Sequence, residues 1–200
     1  MNSIPQCLLL IVSLALTSLA QGQPASPREY IDEASSALAA TSTIENEDAR
    51  LSALDEVVGE YFDLAVVARG VLGGHRDTLN AEQTQRFTGE FQKALVGLMF
   101  AALSEIGSYE LSVQEARMRG EDRAQVPALI KTASEGDFEF LFSLARNEGR
   151  WNVLNLIVNG VNLGLTYRNQ FNELMLSNDG DVDAVIVAWT ATVAESAPDL

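Results

Sequence analysis

Few residues in this chain could do chemistry. It contains one histidine, His75, and one cysteine, Cys7. These are too few to supply the ligands of a zinc site or the residues of a histidine-activated nucleophile. His75 follows two glycines, and we expect it in a surface loop. Neither common glycine-rich phosphate-binding pattern is present. The sequence therefore predicts no catalytic residue, no metal and no cofactor.

Carboxylates are abundant but poorly placed for acid–base catalysis. Asp63, Glu110 and Glu139 are the least implausible catalytic acids, and for each a solvated or helix-capping role is favoured. The acidic run at residues 178–183 resembles a calcium-binding loop. Apolar residues would occupy its first and last ligand positions, however, so the EF-hand spacing fails. We expect a turn and a helix start there instead.

Two arginines are the cations of most interest. Arg69 and Arg168 each lie on a predicted helix that is otherwise rich in apolar residues, where a guanidinium could meet a phosphate at the mouth of a pocket. An ion pair with a neighbouring acid is the alternative role for both. We retain both arginines as candidates for contact with an anionic group.

The first twenty residues have the pattern of a removable secretory signal. The apolar run from Cys7 to Leu19 is too short to span a membrane comfortably, and Ser18 and Ala20 supply small residues for cleavage. Cleavage leaves residues 21–200, which we expect to form a single domain without a disulfide. The formal net charge of −15 argues against nucleic acid as a partner.

Six helices and four strands are predicted. Ser26, Asp63 and Asn80 cap the starts of three helices, Gly107 ends the longest, and another helix begins near Glu47. Apolar residues then alternate along four strands, and two helices follow the last strand. The predicted strands are residues 109–113, 123–132, 138–144 and 151–159. This order predicts an α+β fold in which helices wrap a curved, mainly antiparallel four-stranded sheet.

Two details of the strands matter for what the sheet can hold. Pro127 should confine the second strand to an edge or a bulge. In the last strand, one face should carry Leu154, Leu156 and Val158, and the other Trp151, Val153 and Ile157. Because residues 151–174 contain no catalytic group, this segment fits the wall of a hydrophobic container better than a reaction centre.

Two blocks of sequence are similar to a known family. The first block contains Tyr61-Phe62-Asp63, Ala68-Arg69, Leu72-Gly73, Thr78, Glu82-Gln83, Arg86-Phe87 and Phe91. The second runs from Trp151 to Phe171 and includes Gly160-Val161 and Tyr167-Arg168-Asn169-Gln170-Phe171-Asn172. Both blocks resemble the MlaC family of periplasmic phospholipid-binding proteins, also known as toluene-tolerance proteins.

The resemblance implies a fold, a location and a function. It implies a twisted sheet of NTF2-like shape, with an apolar cavity between sheet and helices that takes acyl chains. It also implies a soluble protein in the periplasm that shuttles phospholipid between an outer-membrane lipoprotein complex and an inner-membrane ABC transporter complex of the Mla type. That transport maintains the lipid asymmetry of the outer membrane. Arg69 and Arg168 then become head-group candidates.

A lipid carrier must line its cavity with apolar side chains. Burying one CH₂ is worth roughly 0.8 kcal/mol, so exposing a sixteen-carbon chain to water would cost on the order of 12 kcal/mol. Each candidate could equally be an ordinary core residue. The candidates are Val66, Leu95, Met99, Val113, Phe138, Phe140, Phe142, Leu154, Leu156, Val158, Val161 and Phe171.

The chain departs from the family pattern at four positions. His75 stands where an aromatic residue is usual, and Asn155 stands where the strand often has aspartate. Asn159 and Asn162 replace an acid and a serine. Two other functions stay open: a carrier of hopanoid or other terpenoid lipids, and an NTF2-like enzyme, for which Asp63 and Tyr167 would be the only candidates.

Overall fold

The computed structural model describes residues 26–107, 109–132 and 136–195; the predicted signal peptide lies outside them. Its helices are α1 (Pro27–Thr41), α2 (Glu47–Tyr61), α3 (Leu64–Leu72), α4 (Ala81–Ile106), α5 (Leu163–Ser177) and α6 (Val182–Glu195), with a 3-10 helix at Gly73–Asp77. Within the described ranges, no helix is both long and apolar enough to cross a membrane. The six predicted helices are confirmed.

The helix ends follow from local hydrogen bonding. Ser26 and Glu29 form a reciprocal capping box at α1, and Asn80 and Gln83 form another at α4. The Asp63 carboxylate accepts a hydrogen bond from the backbone N–H of Val66 at 3.1 Å and so caps α3. These side chains satisfy amide groups that have no partner within their own helix, as the sequence predicted.

The strands form one antiparallel sheet in the described part of the chain. They are β1 (Tyr109–Val113), β2 (Arg117–Met118), β3 (Arg123–Thr132), β4 (Asp137–Asn147), β5 (Arg150–Val158) and β6 (Val161–Asn162). The sheet order is β1-β3-β4-β5-β6, and β2 also pairs with β3. The predicted α+β class and the four long strands are confirmed, whereas the strand count of four is corrected to six.

Pro127 lies inside β3, which is an interior strand. Its carbonyl oxygen accepts a hydrogen bond from the Gln114 N–H at 2.9 Å, beyond the end of β1 at Val113. The proline nitrogen therefore faces the interruption between β1 and β2, where a missing N–H breaks no regular ladder. This agrees with the bulge alternative and not with an edge position.

The hairpin between β4 and β5 contains a two-residue turn and a bulge. Glu148 and Gly149 both have positive φ, 51° and 83°, as a tight hairpin turn of type I′ requires. The register then shifts, because Ser143 pairs with Asn155 whereas Leu144 pairs with Val153. Leu154 is the extra residue.

The bulge corrects the predicted facing of β5. Paired residues of an antiparallel sheet share a face, and Leu144 and Phe142 lie two residues apart on β4. Their partners Val153 and Leu156 therefore lie on the same face, not on opposite faces. Simple alternation along β5 could not show the added residue.

The buried apolar residues form three clusters. The four-helix cluster joins α3, α4, α5 and α6 around Phe87, Phe171 and Trp189. The α1–sheet cluster packs Tyr30 and Ile31 against the sheet. The α2–α4 cluster surrounds Leu54, Val58 and Val96.

Candidate functional site

One face of the sheet is apolar across four strands. Cross-strand pairing places its residues in continuous rows, because directly paired residues point to the same side. The rows are Leu111–Ile130–Phe138, then Val113–Ala128–Phe140–Val158, then Val126–Phe142–Leu156. We call this surface the apolar face.

The apolar face is unevenly covered. At one end, Val126 and Val153 are buried against Tyr30 and Ile31 of α1. Toward the other end, the side chains are only half-buried and lie outside the three clusters, as far as the described residues show. These side chains are Leu111, Ile130, Phe138, Phe140 and Leu156. The second region is apolar surface that the protein itself does not fully pack.

Two phenylalanines connect these regions. The rings of Phe140 and Phe142 stack with centroids 6.1 Å apart and an angle of 19° between their planes. Phe142 packs against the α1–sheet cluster, whereas Phe140 lies beyond it. The predicted row of three phenylalanines on β4 is therefore present.

Other predicted lining residues lie on neighbouring strands or in the adjoining clusters. Val113 packs against the α1–sheet cluster, and Leu95 and Met99 pack against the α2–α4 cluster. Val158 is buried beside Phe140, and Val161 pairs with Val158. Whether any of them contacts lipid stays a prediction.

Three other predicted lining residues lie outside the paired rows of the apolar face. Val66 is 44% exposed on the surface of α3. Phe171 is fully buried in the four-helix cluster, with its ring centroid 5.1 Å from that of Phe87. Leu154 occupies the unpaired bulge position. Phe171 therefore lies in the helical core and Val66 on the surface, and whether either contacts lipid stays a prediction.

Sequence reasoning omitted two members of the apolar face, Leu111 and Ile130. Both lie on predicted strands, and Leu111 was part of the alternation in β1. The cross-strand register that puts Leu111 beside Ile130, and Ile130 beside Phe138, is a tertiary property. The sequence pattern that could have identified both residues is the alternation of apolar and polar residues along each strand.

The two candidate head-group arginines lie close together. Arg168 Nε donates a hydrogen bond to the Gly70 carbonyl oxygen at 2.7 Å, which places its side chain beside the residue that follows Arg69. Both arginines are exposed, and within the described ranges neither forms an ion pair. The ion pairs considered from the sequence are therefore not formed here.

The candidate acids occupy ordinary structural positions. Asp63 caps α3, and Glu110 and Glu139 are exposed. Asp181 Oδ1 accepts hydrogen bonds from the backbone N–H groups of Asp183 and Ala184, so the acidic run begins α6 as expected. Across residues 26–107, 109–132 and 136–195, no group of three or more His, Cys, Asp or Glu side chains is arranged to hold a metal ion.

His75 and Tyr167 are placed by packing. His75 lies in the 3-10 helix, not in an irregular loop, and its ring centroid is 6.1 Å from that of Phe171. Burial raises the pKa of Tyr167 to about 12, since the phenolate would lose its hydration. Tyr167 therefore stays neutral near pH 7 and packs against Phe91 and Trp189.

Comparison with known proteins assigns the chain to a family. The family model described as MlaC protein matches residues 28–191. The chain belongs to the MlaC family. It is 28% identical to the toluene tolerance protein Ttg2D of Pseudomonas putida over 152 residues, which cover 76% of this chain and 71% of that protein.

A solved structure shares the MlaC-family fold seen here. It is a phospholipid-binding protein from Ralstonia solanacearum in complex with a phospholipid, and it is 19% identical to this chain. The match has a TM-score of 0.71 and covers 85% of this chain and 99% of the other. The likeness at this identity shows a common fold.

Two depressions open on the surface of this MlaC-family protein. A groove of about 730 Å³ lies between α1 and α2, where Ala37, Ala40, Ala53 and Val57 contribute to its lining. A second, of about 450 Å³, lies beside His75. Neither is lined by the apolar face, and the enclosed lipid cavity implied by the resemblance stays a prediction.

Proposed function

We propose that this protein binds phospholipid in the periplasm and carries it between an outer-membrane complex and an inner-membrane complex of the Mla type. Membership of the MlaC family supports this proposal. The observation that carries it is the half-buried part of the apolar face, centred on Phe140. Such a surface supplies the contact that acyl chains require without any catalytic group.

The energetics favour a binding surface of this kind. Apolar area removed from water contributes roughly 25 cal/mol per Å², and the half-buried rings of Phe138 and Phe140 still have area to bury. An acyl chain laid across these rows would cover protein surface as well as its own. Binding would therefore lower the free energy of both partners.

The proposed role is transport without chemistry. Asp63 and Tyr167, the two residues an enzyme hypothesis would use, are engaged in helix capping and in aromatic packing. Residues 1–20 are the proposed signal that directs the chain to the periplasm. In that compartment the protein would maintain the lipid asymmetry of the outer membrane by delivering phospholipid from one membrane complex to the other.

Lipid analysis of the purified protein tests this function. We expect mass spectrometry of solvent extracts to find phospholipid in stoichiometric amount, and a delipidated sample to take up phospholipid from vesicles. Hopanoids in place of phospholipid would support the terpenoid alternative. Protein that is repeatedly free of lipid, and takes none up, would overturn the proposal.

A further inference from the structure

The β2–β3 hairpin carries three arginines on one face. Arg117 pairs with Gln125, and the backbone N–H of Arg119 donates to the carbonyl oxygen of Arg123 at 2.8 Å, which places these two residues opposite each other. Because residues two apart on a strand share a face, Arg117, Arg119 and Arg123 project together. All three are exposed. We call them the arginine patch.

Like charges directly opposite each other on a sheet are destabilising. In the described part of the chain, no member of the arginine patch forms an ion pair. Arg119 donates instead to the neutral Gln125 side chain, at 3.0 Å and 2.8 Å. The nearby carboxylate of Asp122 is bound to Arg146 at 3.2 Å.

Unpaired arginines are unexpected in a chain with so many acidic residues. The sequence has 28 acidic and 13 basic side chains, so acidic partners are in excess. Arg28, for comparison, has both Asp32 and Glu115 within 4 Å. Among the residues that the structure describes, the three guanidinium groups of the patch form no ion pair with these abundant acids. They are therefore available to an external anion.

We propose that the arginine patch is the docking site for an acidic segment of a protein partner. Arg117 and Arg123 can each donate two parallel hydrogen bonds to a carboxylate, and Arg119 can donate from the N–H groups that Gln125 does not use. Three guanidinium groups on one face fix both position and orientation. The complementary charge would also relieve the repulsion between Arg119 and Arg123. Charge complementarity of this kind strengthens binding and speeds the encounter of the two partners.

Two observations favour a protein partner over an anionic membrane. The net charge of −15 opposes approach to an extended negative surface, whereas a short acidic segment can meet the patch within a screening length of about 8–10 Å. Met118, the exposed apolar side chain of the hairpin, pairs with the buried Ala124 and so points to the opposite face. The arginine face therefore has no neighbouring apolar side chain from β2 to insert into lipid.

The patch lies on the side of the sheet opposite the apolar face. Val126 belongs to the apolar face, and its neighbours along β3 alternate, so Gln125 and Arg123 point away from it. A partner could therefore dock while the apolar face holds lipid. Docking at the arginine patch does not depend on lipid binding, because neither the charge of the patch nor the register of the hairpin involves lipid.

Peptide binding tests the patch directly. The probe is a fluorescent twelve-residue peptide of alternating Glu and Ser, with a Gln–Ser peptide as its neutral counterpart, in fluorescence anisotropy titrations of the full mature protein. We expect the triple variant Arg117→Gln/Arg119→Gln/Arg123→Gln to bind the acidic peptide at least tenfold more weakly. The matched control Arg76→Gln/Lys93→Gln/Lys131→Gln loses the same charge and should change affinity less than twofold.

Several results would overturn the proposal. Equal weakening by both triple variants would show that total charge alone matters, and equal binding of the two peptides would show no preference for acids. Patch-dependent binding to phosphatidylglycerol vesicles without peptide binding would assign the site to membranes. Measuring bound lipid in the same samples separates this outcome from failure of the proposed function.

A stability measurement separates docking from a structural role. Removing one charge of the opposed pair, in Arg123→Gln, should leave the melting temperature unchanged or raise it. A clear decrease in melting temperature would show that Arg123 serves the fold, and would count against a patch retained for a partner.

Discussion

Arg168 Nε donates a hydrogen bond to the Gly70 carbonyl oxygen at 2.7 Å and so joins α5 to the last turn of α3. Carbonyl groups in a last turn have no partner within their own helix, and the negative end of the helix dipole favours a cation there. The side chain also lies against Gly73, where an added Cβ would be 3.1 Å from Arg168 Cδ. Arg168 therefore has a structural role, whatever its role toward lipid.

Replacement of Arg168 should destabilise the fold. We expect Arg168→Gln to lower the free energy of unfolding by about 1–2 kcal/mol, because a carbonyl and a helix end lose their cation. Arg69→Gln, the matched control on the same surface, should change it by less than about 0.5 kcal/mol. Urea denaturation measures both. Equal stability of the two variants would contradict the assignment.

A charge on the apolar face should abolish lipid binding. We expect Phe140→Glu to lose most bound phospholipid, because burying an unpaired carboxylate against acyl chains costs several kcal/mol. Leu141→Glu is the control, since the adjacent residue points to the other face of the sheet and should retain lipid. Extraction and mass spectrometry give the lipid-to-protein ratio. Retention of lipid by Phe140→Glu would exclude this face as the binding surface.

Replacing a core residue should lower the free energy of unfolding more than replacing a binding residue. Phe171→Ala should cost about 3–5 kcal/mol in delipidated protein, because it opens a cavity in the four-helix cluster. Phe138→Ala removes a half-buried ring and should cost less than about 2 kcal/mol. Denaturant titrations of both variants provide the comparison. Similar losses would show that Phe138 is an ordinary core residue.

Asn155 and Asn162 form one hydrogen-bonded pair. Asn155 Nδ2 donates to Asn162 Oδ1 at 3.0 Å, and Asn155 Oδ1 accepts from the Gly164 N–H at 3.1 Å. Asn155→Asp would place two acceptors against each other, and we expect a loss of about 1–3 kcal/mol. Adding Asn162→Ser should recover much of it, because a serine hydroxyl can donate to the carboxylate. Thermal unfolding of the single and double variants would detect the rescue, and its absence would show that the positions are uncoupled.

Alkaline pH should weaken the fold partly through Tyr167. Burial raises its pKa from 10.0 to about 12, so the native state retains a proton that the unfolded state loses. This stabilisation is complete below pH 10 and disappears as the pH rises through 12. Tyr167→Phe should therefore lose less stability than the parent between pH 10 and 12, by about 2 kcal/mol. Unfolding free energies are measured for both proteins across that range. An equal loss of stability with pH in the two would refute the predicted shift of the Tyr167 pKa.

The sequence by itself determined the local elements of this protein. The side chains of Ser26, Asp63 and Asn80 start helices by bonding to amides three residues away, and Gly107 ends α4 with a positive φ of 65°. Alternation marked the four long strands, because successive side chains of a strand point to opposite faces. Composition also predicted that no histidine- or cysteine-based catalytic group would form, because the sequence has one histidine and one cysteine.

Only the tertiary structure decided which apolar residues form the candidate site. Phe171 and Phe140 have the same side chain, yet one is sealed in the four-helix cluster and the other is half-buried on the sheet. The bulge at Leu154 changed the facing of Val153, and cross-strand register added Leu111 and Ile130. Packing and lipid binding both require apolar residues, so sequence patterns cannot separate them. The separation depends on which surfaces distant segments cover.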